Sequence, residues 1–145
     1  MHQPIRFSGR RMAASRKGVA AVELALCVPL LLTLTMGMVE TGNVISTQTR
    51  MYSAAYEAAR LATRPTTAEN RAATSGAVIA YAESLLNQLG ISGAQVTLQP
   101  ADLSTLVPQQ LVTVTITAPL GQNSYTSLVV SNAQNLTAQA ALVVE

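Results

Sequence analysis

Gly18 and Glu23, in the stretch RKGVAAVELALCVP at residues 16 to 29, are the pair whose types and spacing suggest chemistry. Glu23 is a carboxylate among apolar residues that continue on both sides. A charge near the centre of a bilayer costs roughly 2.5 to 3.5 kcal/mol on insertion scales, and less near the headgroups. Because Glu23 lies in the second turn of the apolar run, one reading is an interfacial acid that snorkels outward. The spacing Gly18-x-x-x-x-Glu23 offers a second. Proteolysis after Gly18 would leave Val19 with a free amine and put the carboxylate at the fifth position of the mature chain. Between parallel helices, the amine of one subunit can pair with Glu23 of a neighbour, offsetting the burial penalty and fixing axial stagger. The same cut removes Arg6, Arg10, Arg11, Arg16 and Lys17, cations that a packed apolar assembly would exclude.

Elsewhere the sequence is chemically sparse. His2 is its one histidine, and Cys27, inside the apolar run, is its one cysteine, so no intramolecular disulfide can form. Glu40, Glu57, Glu69, Glu83, Asp102 and Glu145 are scattered, and no spacing among them suggests an acid/base couple or a metal site. Gly90-x-x-Gly93 is too weak a pattern for a phosphate loop, and Asn135-Leu136-Thr137 matches a glycosylation pattern that is common by chance. Asp102, in PADLS, reads as a turn or cap residue. The expectation is a non-enzyme with no catalytic residue, metal, cofactor or small-molecule substrate. Gly18 and Glu23 then matter as substrate for another enzyme or as assembly contacts.

The element that must position them is the run VAAVELALCVPLLLTLTMGMV, Val19 to Val39, 21 residues of which one is charged. As a helix it is about 30 Å long, the thickness of a bilayer's hydrocarbon core. Five basic residues and no acidic one precede Glu23, whereas four Arg and seven acidic residues follow Gly18. The positive-inside rule therefore orients the N-terminus to the cytoplasm. A basic arm can also bind nucleic acid, but this one abuts a lipid-compatible run and is interleaved with no aromatic beyond Phe7. No nucleic-acid partner is expected. A cleaved secretory signal is disfavoured by the length of the run, its carboxylate, and the absence of an A-x-A-like site in GMVETGN at 37 to 43. Pro29 removes one backbone donor and is expected to kink the helix.

KGVAAVELALCVPLLL, followed by MVETGNVISTQTRMYSAAYEAARLA, resembles the TadE-like proteins, minor pseudopilins of the Tad (Flp) type IV pilus systems. The resemblance is specific over roughly residues 16 to 64. It implies processing between Gly18 and Val19 by a dedicated prepilin peptidase and a partnership with other Tad pseudopilins and the pilus assembly platform. It also brings the family's links to adhesion and secretion. The family pattern has an aromatic residue after the glutamate, and here the residue is Leu24.

Beyond Val39 the sequence stays helix-compatible to Arg64-Pro65, with Gly42 its one weak point. Val44, Thr47, Met51, Ala54, Ala58 and Leu61 recur every three or four residues, a seam for close helix contact. The seam can meet another subunit, pack on this chain's own C-terminal domain, or do both. Unbroken from Val19 to Arg64, the helix would be about 69 Å long. Pro65 should end it. Thr66-Thr67-Ala68-Glu69 offers a capping box for a second helix whose apolar positions are Ala73, Ala77, Ile79, Ala80, Leu85, Leu86 and Leu89. Alternation then predicts strands around Val96–Leu98, Val112–Ala118 and Leu136–Val144, with a turn at GQNS (121–124), and leaves 126–135 open between strand and helix.

The fold class is therefore α+β: a long N-terminal helix (membrane-spanning, then amphipathic), a second helix, and a small C-terminal antiparallel sheet. The expected divisions are a basic leader at 1–18, the extended helix at 19–64 and an extracytoplasmic domain at 65–145. The functional expectation is a single-pass inner-membrane assembly component of a pilus, with processing at Gly18 and Val19, an assembly contact at Glu23 and a kink at Pro29. The alternative is an uncleaved, signal-anchored envelope protein whose outer domain binds a partner.

Overall fold

The structure is a computed structural model that describes residues 11–64, 68–124 and 133–144. Arg6, Arg10 and most of the leader, Pro65, Thr66 and Thr67 of the expected capping box, and most of the open segment 126–135 lie outside the described residues. By packing, the protein forms two units, Met1–Met38 and Val39–Glu145.

Helix α1 (Arg11–Ala62) runs through both, with Pro29 and Gly42 inside it. In the first unit its side chains from Gly18 to Met36 are all exposed, Leu30, Leu31, Leu32 and Leu34 among them. Pro29 has no N–H for the carbonyl one turn back. Just beyond it, Thr33 donates its hydroxyl to the Leu30 carbonyl (2.8 Å), and Thr35 donates to those of Leu31 (3.0 Å) and Leu32 (2.9 Å). Both hydroxyls are thereby satisfied without water, as an apolar medium requires.

In the second unit α1 becomes one-sided. Thr47, Met51, Ala54, Ala55, Ala58, Ala59 and Ala62 are buried, while Ile45, Tyr52 and Tyr56 are exposed. Val44 and Leu61, the ends of the expected seam, are half-buried. The seam therefore packs on this protein's own domain: its residues Met51, Ala54 and Ala58 share one core with α2 and the sheet. Four fully buried alanines allow that contact to be close, and they leave no room for longer side chains.

Helix α2 (Ala68–Gln88) buries Val78, Ala82 and Leu86, with Ile79, Leu85 and Leu89 partly covered. Ala77 and Ala80, expected on its buried face, are exposed. With alanines distributed around the helix, periodicity alone left its rotation undetermined by about one residue. The end of α2 is a Schellman turn. Gly90 adopts φ +72, its N–H bonds the Asn87 carbonyl (3.1 Å), and the Ile91 N–H reaches back to that of Leu86 (2.9 Å).

The sheet has the order β1 (Gln95–Gln99), β2 (Leu111–Pro119), β3 (Asn135–Val143), antiparallel throughout. Register pairs Gln95 with Thr117 and Leu111 with Val143. It aligns Leu98, Val114 and Ala140 on one face and Thr97, Thr115 and Gln139 on the other. Val112, Val114, Ile116 and Ala118 are fully buried, as the alternation predicts. The expected turn at 121–124 includes most of a four-residue helix, α3 (Leu120–Asn123).

Candidate functional site

Gly18, Val19, Val22, Glu23 and Leu26 line one open face of α1, as their offsets of one, four, five and eight residues from Gly18 dictate for a helix. Glu23 and Cys27, one turn apart, are both exposed. The structure thus places the expected processing residues and the expected assembly carboxylate on a single helix surface. That surface has no enclosure, so it cannot orient or desolvate a small substrate as an enzyme's cleft does. Its chemistry is that of a surface to be read or packed against.

Gly18 carries a sharper observation. Among the described residues, a Cβ built there would meet no atom within 4 Å, as at Gly42 and Gly76. Glycine in a helix interior is less favourable than alanine by about 0.8 to 1.0 kcal/mol, and nothing among the described residues requires it here.

Beyond the span, the titratable groups have structural roles. Asp102 caps the short 3-10 turn Leu103–Thr105, accepting the Ser104 N–H at 2.8 Å. Hydrogen bonds from the Ser104 hydroxyl and from its backbone N–H hold the Asp102 carboxyl below its ordinary value of 3.8. The turn-or-cap expectation for this residue therefore holds. Glu40, 2% exposed, is buried at the start of the one-sided stretch of α1. Its burial went unforeseen, because sequence placed it at the polar edge of the membrane run. Among the described residues, no group of three His, Cys, Asp or Glu is positioned to hold a metal ion.

A polar latch sits where α1, the end of α2 and α3 meet. Asn43 donates its amide to the Asn123 carbonyl (3.0 Å). The Asn123 side chain accepts from the Ser92 N–H (2.8 Å) and donates to the carbonyls of Ser92 (2.9 Å) and Pro119 (2.8 Å). A guanidinium N–H of Arg50 reaches the Leu89 carbonyl at 3.4 Å, capping the C-terminus of α2. No sequence motif marks this group. The signal available was Gly90-x-x-Gly93 beside a GQNS turn, and it could not reveal that the turn folds back onto α1.

A comparison with protein families finds a match confined to the helix. Residues 18–60 match the family model for TadE-like proteins. The matched segment begins at Gly18, contains Glu23 and Pro29, and lies wholly within α1. This TadE-like match points to a Tad pilus-associated component, in a family that is structural and not enzymatic. Among the described residues, one helix, with a mean hydropathy of 2.2 over its apolar window, is long and apolar enough to cross a membrane, consistent with a single-pass protein. No curated protein and no solved structure matches the sequence significantly.

Proposed function

We propose that this protein is a pseudopilin-like structural and assembly component of a Tad (Flp) type IV pilus. It is inserted in the cytoplasmic membrane through residues 19–39, with its N-terminus in the cytoplasm and the domain beyond the span on the other side. A prepilin peptidase removes residues 1–18, and the mature helix packs with other Tad pseudopilins on the assembly platform. Glu23 pairs there with the amine of a neighbour's Val19, an attraction that strengthens away from water.

The observation that carries this reading is the family match, which begins at Gly18 and takes in Glu23 and Pro29 of the apolar helix. Gly18 is the residue that a peptidase would read in that motif. Its low helix propensity also eases the local unwinding that cleavage needs, because α1 runs from Arg11 across the Gly18–Val19 bond. That same helical continuity, together with Leu24 in place of an aromatic residue, favours the second reading, an uncleaved signal-anchored protein.

The N-terminal residue of the membrane-extracted protein, read by mass spectrometry, separates the two. A start at Val19 supports processing and a start at Met1 supports the anchor. Gly18→Val should retain the leader, and its normal maturation would sink the proposed site. Glu23→Leu should insert at least as well as the parent yet fail to enter the fibre; full assembly of that variant would show the carboxylate dispensable.

A further inference from the structure

Asn43, Thr47, Arg50, Gly90, Gln122 and Asn123 line a pocket of about 300 Å³ in the second unit. Its base is fixed. The Asn123 side chain is engaged through both of its polar ends, and Asn43 is tied to the Asn123 carbonyl. Gln122 is held close over Gly93, where a Cβ would overlap its side-chain oxygen and crowd Pro119. Two groups in this rigid setting are left with capacity to bind. Thr47 is 5% exposed and lines the pocket, and its hydroxyl makes no hydrogen bond among the described residues. Buried hydroxyls ordinarily find a partner, and one at a pocket wall can bond a group that enters the pocket. Arg50 is anchored by its bond to the Leu89 carbonyl, and a guanidinium has five N–H donors, so most of its fork remains to be used.

Charge selects the ligand. Among the described residues, Arg50 is the one ionised side chain lining the pocket, and no carboxylate does so. A single cation balances a single negative charge, and the planar fork of arginine matches the two oxygens of a carboxylate. The walls are mostly polar, with Ile91 their main apolar contribution, so they would hold the body of a free organic molecule poorly. The fit is to a carboxylate whose remaining bulk stays outside.

We propose that this pocket binds a carboxylate presented by a partner polypeptide, from an acidic side chain or from its C-terminal residue, with Arg50 gripping it bidentately and Thr47 donating to it. The site does not depend on cleavage after Gly18, so its failure and that of the pilus reading are separable.

The test uses the full-length protein in detergent micelles, followed by NMR at Arg50 Nε–H and at the Thr47 and Gln122 amides. N-acetylglycine mimics a C-terminal carboxylate, N-acetylglutamate α-amide mimics a side chain, and N-acetylglycinamide is the neutral control. Saturable shifts with at least one acid and none with the control are expected, and the tighter acid names the source. Arg50→Gln should weaken binding about tenfold or more, and Thr47→Val about two- to fivefold. Because Arg50→Gln also removes the cap on α2, Arg50→Lys provides a second variant, expected to bind less tightly than the parent while keeping the charge. No saturable shift with either acid, or equal affinity in Thr47→Val and Arg50→Lys, overturns the proposal.

Discussion

The two stretches of α1, Gly18–Met38 and Val39–Ala62, are continuous in backbone and opposite in what their side chains meet. Both are rich in apolar residues. The first exposes its leucines and valines, so its apolar surface must be covered by something other than this protein's own core. The second buries alanines and Met51 along one face and turns Ile45, Tyr52 and Tyr56 outward. Apolar content alone does not distinguish a lipid-facing helix from a core-facing one. The size of the residues does: bulky side chains around the whole circumference suit lipid, and small ones on a single stripe suit packing against protein.

This contrast can be broken by matched substitutions. Met51→Ala should destabilise the second unit by about 2 to 5 kcal/mol through the cavity it leaves, and Ala58→Leu by about 1 to 3 kcal/mol through overpacking. Leu31→Ala and Ala25→Leu, the corresponding large-to-small and small-to-large exchanges in the apolar stretch, should leave the thermal unfolding of that unit in micelles unchanged. Equal losses from both sets would mean that the two stretches are not energetically distinct.

Glycines sharpen the comparison at smaller scale. Gly93 has φ +67 and a Cβ there would overlap Gln122, so Gly93→Ala should cost about 1 to 2 kcal/mol. Gly42, helical and with nothing within 4 Å of a Cβ, should gain a few tenths to about 1 kcal/mol as alanine. A loss at Gly42 would reveal a contact on that face.

The smallest effect concerns Asp102. Its carboxyl is held below the ordinary value, so the stability it contributes is fully present above the unfolded pKa near 4 and is lost as pH falls through the lower folded value. Asp102→Asn should therefore lower stability slightly at neutral pH and flatten the profile below about pH 4, where the two proteins converge. As the group is fully solvent-exposed, the difference should be slight, and an effect as large as that of Met51→Ala would show Asp102 to be more than a local cap.

Much of this was legible in the sequence. The span from Val19, the strands at Val96–Leu98, Val112–Ala118 and Leu136–Val144, and the glycine end of α2 follow from period, length and turn chemistry, which are local. The rotation of α2 was not, because Ala77 and Ala80 form an apolar stripe on a different side from Val78, Ala82 and Leu86, which the fold buries. Nor was the polar latch. Asn43 and Asn123 are 80 residues apart, and both look like ordinary turn or helix-surface residues until the fold joins them.

By itself, then, the sequence determined the spacing of Gly18 and Glu23 on one helix face and the apolar length that carries them, because helical geometry converts residue number directly into direction and distance. Tertiary structure alone decided that Met51, Ala54 and Ala58 serve this protein's own core, that Glu40 is buried, and that Thr47 and Arg50 stand beside Gln122. Each of those outcomes depends on contacts between segments distant in sequence, and their packing has no signature in the local pattern of any one of them.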